Sequence, residues 1–247
     1  MKNFLIRFSF WFVVLCGIIA CSTDDVIETK SLTFNFTIKA DLEDMVFESK
    51  KYLTPFNQQI TFERFSIYLS NVALRDLETN EVYKEVDSYH LISFDSENGT
   101  ASFTIDQIPA SYQISEIKMA IGVDAEANTS IDHVGDLDPT NGMAWDWNTG
   151  YKFFLMEGRY FAEEDPVGEE IKMHIGMDKN YFEKGWLLDA PIFMLQDRSI
   201  DFHVNGYVPI GTIDFSEGTV FMNDERGDEV AQNYKEGLLE VEETSRK

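Results

Sequence analysis

Apolar and polar residues alternate with period two along most of this 247-residue chain, a pattern that only half-buried strands satisfy. Leu32, Phe34, Phe36 and Ile38 alternate with Thr33, Asn35 and Thr37. Phe65, Ile67 and Leu69 repeat the pattern, and Val72 and Leu74 follow after a phase change at Ser70-Asn71, as at a bulge. Further sets are Ile117, Met119, Ile121 and Val123; Tyr151, Phe153 and Leu155; Ile171, Met173 and Ile175; and Ile200, Phe202 and Val204. Turn signals separate them at Thr79-Asn80, Asn98-Gly99, Pro109-Ala110, Asp165-Pro166 and Asn205-Gly206. The expected fold is all-β, an antiparallel β-sandwich in a single domain. One helix is expected near the C-terminus, over Asp228 to Glu242, where Val230, Tyr234 and Leu238 form an apolar stripe suited to packing on the sandwich.

The stretch from Asp124 to Gly150 fits neither strand nor helix. It is rich in Asp, Asn, Gly and Thr and carries Trp145 and Trp147. Unpatterned loops of this length inside a compact domain are usually functional. Within it, Asp136, Asp138, Thr140 and Asn141 place oxygen atoms as a calcium loop does, but position 147 is Trp where a helical calcium loop needs an acid. Turn-shaping carboxylates are the simpler reading. No Gly-x-Ser-x-Gly elbow, phosphate-cradling Gly-x-x-x-x-Gly-Lys or dinucleotide Gly-x-Gly-x-x-Gly occurs, so a binding protein is expected in place of an enzyme.

The first residues read as a targeting segment. Lys2 and Arg7 precede an apolar run from Phe8 to Ala20, which ends in Ile18-Ile19-Ala20-Cys21. Met1 to Ala20 resembles a lipoprotein signal peptide, with Cys21 as the lipidated first residue of the mature chain. Residues 21–30 then form a polar tether, and residues 31–247 the domain. An outer-membrane lipoprotein is expected, facing the periplasm or the cell surface, with the lipid as its membrane anchor. The two cysteines, Cys16 and Cys21, both fall in this segment, so no disulfide framework or thiolate metal site is available to the domain. A formal charge of −24 opposes nucleic acid binding.

Without thiols, imidazoles are the strong nitrogen donors for a transition metal. The chain has four: His90, His133, His174 and His203. His90 alternates with Leu91, His174 with Ile175, and His203 with Phe202 and Val204, so each is expected on the face opposite those apolar partners. None has His-x-His spacing, and a shared site would have to be assembled by the fold. Trp145 and Trp147 could close one end of the sandwich, stack on a sugar or lie beside a metal.

Three segments then converge on one pattern. They are Phe65-Ser66-Ile67-Tyr68-Leu69-Ser70-Asn71-Val72, Ser88-Tyr89-His90-Leu91-Ile92 and Ile121-Gly122-Val123-Asp124. Together with the block from Gly135 to Phe153 and with Met173-His174-Ile175-Gly176, they resemble the MbnP-like copper-binding protein family, from about Leu32 to Tyr234. The resemblance implies an extracytoplasmic β-sandwich that binds copper, with His90 and His174 as imidazole ligands. It also implies a di-haem peroxidase-like partner that oxidises Trp145 or Trp147 to kynurenine, whose amine joins the histidines. Asp124 or Asp146 would orient a ligating ring. Where relatives often carry a first-strand histidine this chain reads Phe34-Asn35-Phe36-Thr37-Ile38, which leaves His203 as the third candidate.

Two functions follow. One is copper acquisition or handling by a lipoprotein through His90, His174 and His203. The other is a surface module that binds glycan or protein through the loop aromatics Trp145 and Trp147.

Overall fold

The structure is a computed structural model that describes residues 27–145, 150–163 and 165–242. The signal segment, Cys21, Asp146 and Trp147 lie outside the described residues. The chain runs through β1 (Thr29–Ala40), β2 (Glu43–Asp44), β3 (Tyr52–Leu53), β4 (Gln59–Asp76), β5 (Val82–Lys84), β6 (Tyr89–Asp95), β7 (Thr100–Pro109) and β8 (Gln113–Ile121). The long loop follows. Then come β9 (Lys152–Phe161), β10 (Glu169–Gly176), β11 (Phe182–Phe193), β12 (Arg198–Asn205), β13 (Val220–Phe221), α1 (Glu225–Gly237) and β14 (Leu239–Val241).

These strands form two sheets, as the alternation requires. In the smaller sheet, β1 lies between β12 on one side and β7 with β2 on the other, and β14 flanks β12. The larger sheet is ordered β11-β8-β4-β9-β10-β13, with β3, β5 and β6 also paired to the long β4. The main core lies between the sheets: Phe34, Phe36, Ile38 and Phe202 from one meet Phe65, Ile67, Phe154 and Ile175 from the other. The sandwich is as expected, with one refinement. Most ladders are antiparallel, but β1–β12 and β10–β13 are parallel, so both sheets are mixed.

The phase change in β4 is a bulge: its register against β8 shifts between Ser70 and Ala73, and Asn71 has a φ of +55°. The helix starts earlier than the stripe alone indicates, because Asp224 caps it by accepting the Gly227 N–H at 2.9 Å. It stops at Gly237, and Leu239–Val241 is taken into the sheet beside β12. Val230, Tyr234 and Leu238 pack on the sandwich as expected, and the Tyr234 hydroxyl donates to the Asn180 carbonyl at 2.7 Å.

A buried carboxylate ties one end of the larger sheet. Asp76, at the end of β4, accepts the backbone N–H of Gln113 (2.7 Å), Thr79 (2.8 Å) and Glu78 (3.2 Å) and the Thr79 hydroxyl (2.8 Å). Burial pushes its carboxyl up, but these donors outweigh burial and hold it below the ordinary aspartate value. A depressed folded-state pKa stabilises the protein above the unfolded pKa and ceases to do so as pH falls through the folded value. Asp76→Ala should therefore cost about 3 kcal/mol at neutral pH, because buried donors are left unpaired. Urea unfolding at neutral pH and below pH 3.8 should show the gap from wild type closing in acid.

Candidate functional site

β4 is buried on both faces. From Phe65 to Ser70 its residues are buried without a break, because the main core covers one face and the long loop covers the other. That outer face holds a second apolar cluster of Tyr68, Val123, Leu137, Met143, Tyr151, Phe153 and Leu155. Tyr151 is its pivot. Its ring meets Tyr68 edge-on at 5.7 Å, its hydroxyl donates to the Leu137 carbonyl at 2.8 Å, and its N–H donates to Asn128 Oδ1 at 2.8 Å. Burial pushes its phenol up to about 12.

The polar side chains of the loop serve the backbone. Asp138 accepts the Thr140 N–H and hydroxyl, Asp136 accepts the Leu91 N–H of β6, and Asn141 donates to the carbonyls of Gly135 and Asp136. Asp124 is engaged likewise by Tyr89, Asn71, Glu126 and Ala127. Among the described residues no three His, Cys, Asp or Glu side chains are grouped to hold a metal ion.

Trp145 lies on this outer face, with 5% of its surface exposed. Its Nε1–H donates to the Tyr151 carbonyl at 3.1 Å, and the Ala144–Tyr151 bridge closes the chain on either side of residues 146–149. Gly176 permits the approach, since a Cβ there would collide with the Tyr151 carbonyl and press on the indole. His174, on β10, has its ring centre 6.5 Å from that of Trp145. Its Nε2 is 2.7 Å from Glu157 Oε1 on β9. That hydrogen bond holds the Glu157 carboxyl below its usual range against the effect of burial, and Arg64 and Lys152 add to it. The Lys152 ammonium donates to the Gly142 carbonyl at 2.9 Å and lies 5.6 Å from the Trp145 ring centre.

The strand histidines do not converge. His174 pairs across β9 and β4 with Leu155 and Ser66, on the loop-covered face. His90 pairs with Leu69, which faces the main core, so His90 and His174 lie on opposite faces of one sheet. The His90 ring stacks on Phe103 of the other sheet at 3.7 Å with 3° between planes, and its Nε2 is 2.7 Å from Glu85. It lies on the face opposite Leu91, as expected, but that face is turned to the main core. His90 runs in phase with Ile92 and Phe94, while Leu91 packs against the loop cluster.

His203 is on the outside of the smaller sheet. Its Nε2 is 3.2 Å from Lys39 Nζ and 3.3 Å from Glu242, and its Nδ1 is buried without a hydrogen-bond partner. His133 in the loop is bonded to the Ala127 carbonyl at 3.1 Å. Among the described residues, only His174 of the expected ligands has an indole beside it. Sequence reasoning passed over Glu157, which is one of 44 acidic residues and carries no spacing signal beyond lying two residues from Leu155 on the same face.

Fold and site together define a two-sheet β-sandwich whose larger sheet carries a loop-covered aromatic–imidazole cluster. The family model of MbnP matches residues 29–226, and the chain belongs to that family. Among solved structures the fold is similar to MbnP from Methylosinus trichosporium, with a TM-score of 0.54, 13% identity, and coverage of 81% of this chain and 83% of that one. No curated protein matches the chain.

Proposed function

We propose that this protein handles copper outside the cytoplasm, as a lipoprotein anchored through Cys21 after removal of Met1–Ala20, and takes the metal at the Trp145–His174–Glu157 cluster. The observation that carries this reading is the placement of Trp145 beside His174, since both belong to segments on which the resemblance to the family rests. The donors present are of a kind that copper accepts in an oxidising compartment: an imidazole, a carboxylate and no thiolate. They are too few to hold it tightly. Oxidation of Trp145 by a di-haem peroxidase-like partner would add an amine next to His174. His90 and His203 take no part in this reading, because each is on another face of the sandwich.

The alternative of a glycan platform finds less support. Trp145 is buried and its Nε1 is spent on the Tyr151 carbonyl, so it presents no open face to a sugar.

Copper titration followed by dialysis, metal analysis and electron paramagnetic resonance tests the proposal. Protein with intact Trp145 should lose its copper on dialysis. Protein in which peptide mass analysis shows Trp145 oxidised should retain one ion with nitrogen hyperfine structure. Failure of both forms to take up copper would remove the assignment.

A further inference from the structure

Four large apolar side chains stand open at the end of the sandwich where β1 begins. Ile27 and Leu195 are 70% and 77% exposed, and Leu77 and Phe193 are 50% and 46% exposed. The backbone gathers them. Leu77 and Phe193 flank Gln113, since the Leu77 N–H donates to the Gln113 carbonyl at 2.8 Å and Phe193 is the cross-strand partner of Gln113. Met194, which joins Phe193 to Leu195, donates its N–H to the Tyr112 carbonyl at 3.0 Å. In the same turn, the Ala110 N–H donates at 2.8 Å to the carbonyl of Glu28, the neighbour of Ile27. The hairpin from Pro109 to Tyr112 thus ties all four to one end. Exposed apolar groups gathered in this way on a strongly acidic protein mark a contact surface.

The position of Cys21 decides what covers them. It precedes Ile27 by six residues, which reach at most about 22 Å when fully extended. β1 has 12 residues and is about 40 Å long. With Cys21 acylated, the opposite end of the sandwich, where Leu42 is 94% exposed, cannot be the end set down on the bilayer, because Ile27 would then stand beyond the reach of the tether. We propose that Ile27, Leu77, Phe193 and Leu195 seat the domain end-on upon the lipid in which Cys21 is anchored. The inference rests on the lipoprotein reading above and goes beyond it, since an anchor alone fixes no orientation. The lipid surface that fits is zwitterionic. A formal charge of −24 opposes anionic headgroups, and Lys30 at this end is already paired with Glu28 at 2.7 Å. Seated so, the domain carries the Trp145–His174 cluster clear of the lipid: His174 is level with Ser66, ten residues or about 33 Å along β4 from Asp76.

The domain has no thiol of its own, so one introduced cysteine takes a spin label without competition once Cys21 is acylated. In the full lipidated chain, reconstituted into vesicles of phosphatidylethanolamine and phosphatidylcholine, Ser111→Cys reports the hairpin and Leu42→Cys the opposite end. Collision with oxygen, which concentrates in lipid, and with a water-soluble nickel chelate reads the depth of each label. The ratio of oxygen to chelate access should be several-fold higher at Ser111→Cys than at Leu42→Cys. Adding Leu195→Ser should lower that ratio, and adding Leu77→Ser and Phe193→Ser as well should bring it to the Leu42→Cys value, with thermal unfolding unchanged because these side chains are exposed. Equal ratios at the two ends, or a high ratio that survives all three changes, would overturn the inference while leaving the anchor standing. So would shielding of Ser111→Cys from both reagents, which marks contact with a second copy of the chain. Mass analysis that finds Cys21 without lipid, in protein that does not sediment with vesicles, would overturn the lipoprotein reading and this orientation with it.

Discussion

Alanine at position 174 will abolish retention of copper by the oxidised protein and leave the fold intact, whereas alanine at position 90 will leave retention unchanged and lower stability. The asymmetry follows from the two faces of the larger sheet. His174 is the imidazole beside Trp145, and its loss removes the site's strong nitrogen donor, with an effect beyond the about 10–100-fold of a missing orienting group. His90 instead fills space between the sheets, stacked on Phe103 and bonded to Glu85. Its truncation forfeits the ring contact and leaves a half-buried carboxylate with one partner fewer, together about 2–3 kcal/mol. Metal analysis after dialysis and thermal unfolding of the two single variants separate the effects. Copper lost from His90→Ala at unchanged stability would show that the imidazoles meet after all.

Tyr151→Ala should be among the most damaging single changes, at about 3–5 kcal/mol. The side chain is fully buried, supports Tyr68 and holds the loop through Leu137, while its backbone fastens Asn128 and the Trp145 indole. Tyr151→Phe keeps the ring and orphans only the Leu137 carbonyl, for about 1 kcal/mol. Denaturant unfolding should rank the two variants in that order. Limited proteolysis of Tyr151→Ala should cut first between Asp124 and Gly150.

Much of this architecture was legible because strand alternation reports burial on one face. Leu32 to Ile38, Ile117 to Ile121 and Ile171 to Ile175 are strands with the predicted side inward, and the unpatterned stretch after Asp124 is the loop that covers the site. The same rule set His90 opposite Leu91 correctly but did not show that its face is the one turned to the main core. It assumes that one face of a strand is solvated, whereas the loop gives the larger sheet two buried faces, so Leu91 and Ile92 are both satisfied and the apolar neighbour no longer marks the inside. Strand direction was equally hidden. Nothing in Leu32–Ile38 or Ile200–Val204 says that they run parallel, because pairing partners distant in the chain leave no local trace. The Glu157–His174 pair was out of reach for the same reason, being made across two strands.

The parallel ladder between β1 and β12 also dictates when the molecule can be completed. Asn35 meets Asp201, and the Ser31 N–H meets Asp197, each across 166 positions of chain. A polypeptide emerging N-terminus first must therefore keep one edge of β1, with Phe34 and Phe36, waiting until Arg198–Asn205 has appeared, well into the last quarter of the sequence. Contacts of such long range make assembly slow and concerted. A chain cut short before Arg198 would present that apolar strand with one unpaired edge, the configuration most prone to aggregation. Arrival of β12 thus gates closure of the smaller sheet, and until then the β1 edge is the segment that needs protection.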